Sequence, residues 1–205
     1  MFQLETEPVF TDYFRKNNLS MVLAFRQVDY LRFPKFGEKI RVCSWVYDCN
    51  PAYGYRNTVL YDEYGKACIL SYCIGVFVNA DSGRVTHIPR DIAAQIQLEP
   101  RLDMDYQPRK IVLPEIEGEK FPVLTVKRYD LDRLNHMNNL RYVTIAQEYL
   151  PLSCQPSRVR VEYKIPAKYG DILVPKRFSL EKGNYLVTLE NETGKLFAAV
   201  EFTVL

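Results

Sequence analysis

The chain has 205 residues, 47% of them hydrophobic, and its 27 Lys and Arg against 25 Asp and Glu leave a net charge of +2. That length suits one large domain or two small ones, and the hydrophobic share is enough for a real core. Lys and Arg are dispersed among Asp and Glu with no basic block, so charge gives no support for nucleic-acid or anionic-membrane binding.

From the N-terminus, Pro8 to Asn17 is the first candidate helix, with Pro8 favourable in its first turn. No strand pattern precedes it, so the first half is expected to lack a leading strand. Four alternating strands follow, at Phe25–Phe33, Glu38–Val46, Tyr53–Tyr61 and Ala67–Val78. The uncharged run from Ala67 to Ala80 is 14 residues long. A bilayer span needs roughly 20, so the run fits one long buried strand better. Ala94 to Glu119, rich in Pro and charge, is the expected linker, and Asp91 to Gln97 is a candidate short helix.

The second half offers strands at Phe121–Tyr129, Arg158–Lys164, Asp171–Leu180, Asn184–Glu190 and Leu196–Leu205. Its helix begins near Asn138 and is ended by Pro151. Leu140, Val143, Ala146 and Leu150 form one apolar stripe, and Tyr142, Ile145 and Tyr149 another. A helix apolar around most of its circumference should be buried on several sides. A curved antiparallel sheet wrapped around it satisfies that.

The halves repeat each other weakly. Lys35-Phe36-Gly37-Glu38 matches Lys168-Tyr169-Gly170-Asp171, each a turn of the form Lys-aromatic-Gly-acid. Tyr61-Asp62-Glu63-Tyr64-Gly65-Lys66 matches Glu190-Asn191-Glu192-Thr193-Gly194-Lys195, each preceding a strand. The offset is about 130 residues, so the pattern is a duplication and not a solenoid. Domains are accordingly expected at 1–110 and 111–205.

Five cysteines lack C-x-x-C spacing and only two histidines are present, which leaves little for a Cys/His metal site. An odd cysteine count without a signal-peptide pattern predicts a soluble protein of the reducing cytoplasm with buried thiols. There is no Gly-x-Ser-x-Gly nucleophile context and no Gly-rich phosphate loop.

Polar groups concentrate at Asp130-Leu131-Asp132-Arg133-Leu134-Asn135-His136-Met137-Asn138-Asn139, ahead of the second helix. A helix N-terminus offers unpaired N–H groups and a partial positive charge. By position alone such residues are caps and turn acceptors more often than catalysts. Asp130 reads as a turn acceptor and Asn138 as the helix cap.

This segment, running on to Tyr142, resembles the acyl-acyl-carrier-protein thioesterases, tandem hot-dog proteins. Arg32-Phe33-Pro34-Lys35-Phe36-Gly37-Glu38 is similar to the turn of that family's first domain, and Val161-Glu162-Tyr163 to a strand of its second. The resemblance implies an α+β fold of two hot-dog domains, the first without its leading strand. It implies hydrolysis of fatty acyl thioesters on acyl-carrier protein, without metal or organic cofactor. Asp132 would be general base or nucleophile, and His136 would position water or bond the thioester carbonyl. Backbone N–H groups near Met137, Asn138 and Asn139 would bind the oxyanion or support the loop.

Where that family places an Asn two residues before the His, this chain has Leu134, and its Glu-Cys pair falls on Pro166 and Ala167. The single-domain hot-dog acyl-CoA thioesterases resemble the segment differently. Their pattern accepts an apolar residue at Leu134 and a Gly where Asn135, able to take a left-handed conformation, stands here. Both resemblances converge on Asp132. The alternatives are an acyl-binding hot-dog protein without catalysis and an acyl-CoA thioesterase. An edge left open by a missing leading strand would invite pairing with a second copy.

Overall fold

The computed structural model describes residues Pro8 to Val204. The chain forms two compact units, one of residues 1–24 and 31–106, the other of residues 25–30 and 107–205. Phe25–Tyr30, expected with the first half, therefore clusters with the second.

In the first unit, helix α1 (Pro8–Lys16) precedes strands β1 (Leu19–Tyr30), β2 (Arg41–Cys49), β3 (Tyr53–Tyr61) and β4 (Ala67–Asn79). The order is β2-β3-β4-β1, the unit holding only the first part of β1. Helix α1 turns Phe10 and Phe14 onto Phe77 of β4, with ring centroids 5.7 and 5.6 Å away, and Ile88 and Ala93 close that core. A short helix α2 (Arg90–Ala93) stands where Asp91 to Gln97 was the candidate. The absence of a strand ahead of α1 concerns residues outside those described.

The second unit contains β5 (Glu119–Lys120), β6 (Leu124–Thr125), helix α3 (Asn139–Gln147), β7 (Pro156–Tyr163), β8 (Ile172–Ser179), β9 (Tyr185–Glu190) and β10 (Leu196–Val204). Its order is β1-β7-β10-β9-β8-β5, with β6 also on β8. Antiparallel register runs from Phe25 opposite Glu162 to Asp29 opposite Arg158. Period-two alternation divides β7: Val159 and Val161 face α3, while Arg160 and Glu162 take the other face. Tyr142, Ala146 and Leu150 are buried against Val187, Leu189, Ala198 and Phe202. Leu140, expected in the apolar stripe, is instead 64% exposed.

The strand expected over Phe121–Tyr129 is reduced to Leu124–Thr125, followed by a 3-10 turn at Arg128–Asp130. Pro122 has no N–H to give a ladder, which breaks the run. No helix among the described residues is long and apolar enough to cross a membrane.

The segment expected as a plain linker is strapped to both units. In the first, the buried Asn57 side chain accepts from Leu102 N–H (3.1 Å) and Tyr106 Oη (3.0 Å), and Trp45 Nε1 donates to the Pro100 carbonyl (2.8 Å). In the second, Gln107 N–H donates to Gln27, Arg160 to the Pro108 carbonyl, and Ile111 N–H to Glu162. Ile111 packs on Phe178, Leu186 and Ala199. Gly118 is there because a Cβ would come within 2.7 Å of the Phe178 ring.

Candidate active site

Asp132 opens a five-residue turn. Its N–H donates to the His136 carbonyl (2.8 Å), and Asn135 N–H donates to the Asp132 carbonyl (3.1 Å). Its Oδ1 accepts from Leu134 N–H (2.8 Å) and His136 N–H (3.3 Å). Asn135 takes a left-handed φ of 59°. The same arrangement holds 62–66 and 191–195. There Asp62 and Asn191 each accept from the amides two and four residues on, and Gly65 and Gly194 supply the positive φ. The candidate site loop is thus the hairpin turn of the duplication, used a third time. The pattern Asx-x-x-(Gly or Asn)-x is the sequence signal that the 132–136 loop shares with the two hairpin turns.

The second carboxylate oxygen distinguishes the two copies that open on Asp. Asp62 Oδ2 accepts from Arg32 at 2.8 Å. Asp132 Oδ2 makes no hydrogen bond among the described residues, and Asp132 is half-buried. His136, also half-buried, likewise has no side-chain hydrogen bond among them. One acceptor of Asp132 is spent on the turn; the other is available for chemistry.

Two bridges seat this loop. Leu131 pairs with Met137, and His136 with Lys168. Met137 N–H donates to the Ala167 carbonyl (2.8 Å), while Ala167 N–H donates to Tyr142 Oη (2.8 Å). Pro166 and Ala167, singled out by the resemblance, therefore adjoin His136, and Tyr142 fixes them there. Burial pushes the Tyr142 phenol up to about 12, with the carboxylates of Asp171 and Asp132 adding to the shift. The buried Asp130 accepts from Lys127 N–H (2.8 Å) and Arg141 Nε (2.7 Å), a structural clamp between turn and helix.

The helix start has the expected cap but not all of the expected free amides. Asn138 caps α3, its Oδ1 accepting from Leu140 N–H at 2.9 Å. The amides of Met137 and Asn138, expected among the oxyanion donors, are spent on the carbonyls of Ala167 and Asp130. Only the Asn139 N–H of the three has no acceptor among the described residues. Its carbonyl accepts from Tyr163 Oη (3.1 Å). Met137 is a buried core side chain; Asn138 and Asn139 are exposed.

In the first unit the Arg32-to-Glu38 turn shows its purpose. Arg32 pairs with both Glu38 and Asp62, tying the 35–38 turn to the 62–66 turn. Glu38, Asp62 and Cys68 offer ligand atoms within 4.8 Å of one another, but the guanidinium already lies on both carboxylates. The turns at 35–38 and 168–171 match bond for bond. The acid side chain accepts from the Lys amide at 2.8 Å in each, and the Lys carbonyl accepts the return N–H at 3.1 Å.

A helix packed on an antiparallel sheet, twice in one chain and with a polar turn at the second helix start, defines a double hot-dog protein. The family model for the acyl-ACP thioesterase N-terminal domain matches residues 3–96, and that for the C-terminal domain matches residues 114–202. The chain belongs to the acyl-ACP thioesterase family. A palmitoyl-acyl carrier protein thioesterase, chloroplastic, of Gossypium hirsutum is 29% identical over 161 residues, 73% of this chain and 38% of that protein. The chain thus spans well under half the length of that relative. An acyl-ACP thioesterase from Bacteroides thetaiotaomicron superposes with a TM-score of 0.82 at 17% identity, over 95% of this chain and 80% of that one. The 12:0-ACP thioesterase from Umbellularia californica gives 0.81 at 19%, over 94% and 78%. At these identities the likeness to solved structures is one of fold.

Proposed function

We propose that this protein hydrolyses fatty acyl thioesters of acyl-carrier protein to free fatty acid and the carrier thiol. The observation that carries the reading is the Asp132 turn: in a chain of this family, at the start of the buried helix, it leaves one carboxylate oxygen unbonded. That oxygen acts as general base toward water or attacks the thioester carbonyl, and His136 beside it positions water or bonds the carbonyl oxygen. The Asn139 N–H at the helix start stabilises the developing oxyanion.

Acyl binding without hydrolysis is a second reading, favoured by specific residues. Leu134 is 60% exposed where the family would place an amide, and two of the three expected oxyanion amides are bonded to carbonyls. Thiol release from acyl-carrier-protein substrates decides between them. Asp132→Asn should lower kcat by about 10²-fold or more while leaving the melting curve in place. The turn accepts Asn there, as Asn191 shows. Equal background rates for wild type and variant, with fatty acid bound by both, would establish the binding reading instead.

A further inference from the structure

Leu31, Phe33, Phe36 and Tyr64 stand exposed at one end of the first unit. Phe36 is fully exposed and Tyr64 is 87% exposed, each at the tip of a turn. Scattered exposed apolar residues are ordinary, but four at one end form a patch. The fold brings them there. Arg32 pairs with Glu38 and Asp62, which sets the 35–38 turn beside the 62–66 turn. The Leu31 and Arg32 amides donate to the Cys68 carbonyl at 2.9 and 3.1 Å. At the same end β2 begins, β3 ends and β4 begins, with Arg41 opposite Tyr61 and Tyr61 opposite Ala67.

The turns do not need these rings. The 35–38 turn is closed by the Lys35 amide and the Glu38 carboxylate, the 62–66 turn by Asp62 and the amides of Tyr64 and Lys66. In the matching turns of the second unit Tyr169 stands for Phe36. Thr193 stands for Tyr64 and donates its hydroxyl to Asn191. An aromatic ring at both tips is a property of the first unit alone.

Charge follows the rings. Lys35, Lys39 and Lys66 are exposed and in no ion pair among the described residues, and Arg41, also exposed, lies over the Tyr61 ring. Glu63 is the one exposed carboxylate in 31–42 and 62–66, since Glu38 and Asp62 are held by Arg32. Lysines dispersed along the sequence thus gather in the fold. A protein partner would need a hollow to receive two protruding tips. A bilayer interface takes protruding aromatics without a matched shape, and anionic headgroups complement the lysines.

We propose that the paired turn tips dock this protein on an anionic lipid bilayer. Phe36 and Tyr64 enter the headgroup layer, and Lys35, Lys39 and Lys66 meet lipid phosphates. Such binding is peripheral and reversible, and it stands independently of the hydrolase reading.

The test sediments the full chain with vesicles of two parts phosphatidylcholine to one part phosphatidylglycerol, and with phosphatidylcholine alone. Wild type should co-sediment with the anionic vesicles, and high salt should weaken this. Phe36→Ser/Tyr64→Ser and Lys35→Glu/Lys66→Glu should each raise the lipid concentration for half-binding by about tenfold or more. The two pairs change different chemistry at exposed positions, so a folding defect in one leaves the other to decide. Lys182→Glu/Lys195→Glu, the same charge change at exposed lysines of the second unit, should have a far smaller effect. Phe36→Trp should add fluorescence that brominated phosphatidylcholine in the vesicles quenches, above the Trp45 background.

Wild type left in the supernatant, or bound equally by both vesicle types, would overturn the proposal. Equal loss in the second-unit pair would do the same, by making the attraction one of overall charge. Binding kept by both turn-tip pairs would place the surface elsewhere. A lipid-free dimer dissolved by Phe36→Ser/Tyr64→Ser would assign the tips to a second copy and overturn it as well.

Discussion

Asp132 has two oxygens with two occupations, and this division decides how substitutions there should be interpreted. Oδ1 holds the turn; Oδ2 is open. Removing the side chain would release the Leu134 and His136 amides as well as the chemistry, so alanine would confuse fold with function. Asn135 sits at the left-handed position that glycine fills in the two sister turns. Asn tolerates this conformation better than most L-residues, but glycine carries no Cβ penalty there. Asn135→Gly should therefore stabilise the protein by up to about 1 kcal/mol in denaturant titration, with hydrolysis retained. A clear loss of stability would show that the Asn135 side chain holds something the turn alone does not.

Among elements, the paired turns of the first unit give a pH signature. Hydrogen bonds from Arg32, and then from the Lys35 amide, hold the Glu38 carboxyl below its ordinary 4.5. Arg32, and then the Lys66 amide, do the same to Asp62 below 3.8. Depressed carboxyls bind fewer protons folded than unfolded. Their stabilisation is thus complete above the ordinary values and lost as pH falls through the lower folded ones. Arg32→Gln should lower the melting temperature at neutral pH and flatten its decline in acid. Trp45, the sole tryptophan, lies in this unit and reports the transition by fluorescence. An unchanged acid profile in the variant would rule out the clamp as its source.

The same elements explain what the sequence made legible. The turns at Gly37, Gly65, Gly170 and Gly194 were readable because a positive φ is a local demand that glycine meets. β3 appears over the expected Tyr53–Tyr61, where alternation is clean and both neighbours pair with it. The helix cap at Asn138 was equally local. Harder were features settled by partners distant in sequence. β1 starts at Leu19 rather than Phe25, and Leu140 leaves the core. The amides of Met137 and Asn138 are taken by Ala167 and Asp130, which spacing along one segment could not disclose. The linker looked featureless because its anchors, Asn57, Gln27, Arg160 and Glu162, lie 45 to 80 residues away.

At the scale of the molecule, the second unit is not a contiguous piece of chain. Phe25–Tyr30 supplies the strand segment paired with β7, and Asp29 supplies the bidentate partner of Arg158, at 2.6 and 3.0 Å. A fragment of residues 107–205 would expose the β7 edge and strand Arg158 without its carboxylate. It should aggregate or unfold without cooperativity, whereas appending residues 19–30 should restore a monomer with a sharp transition. Sedimentation and circular dichroism check this, and a well-folded monomeric fragment would refute it. Recombination feels the same constraint. A chimaera that takes its second half from another family member, joined at the linker, would pair a foreign β7 with the resident Gln27 and Asp29. Productive crossovers must exchange residues 25–30 along with the distant half they serve, so two separated stretches of the gene are inherited as one.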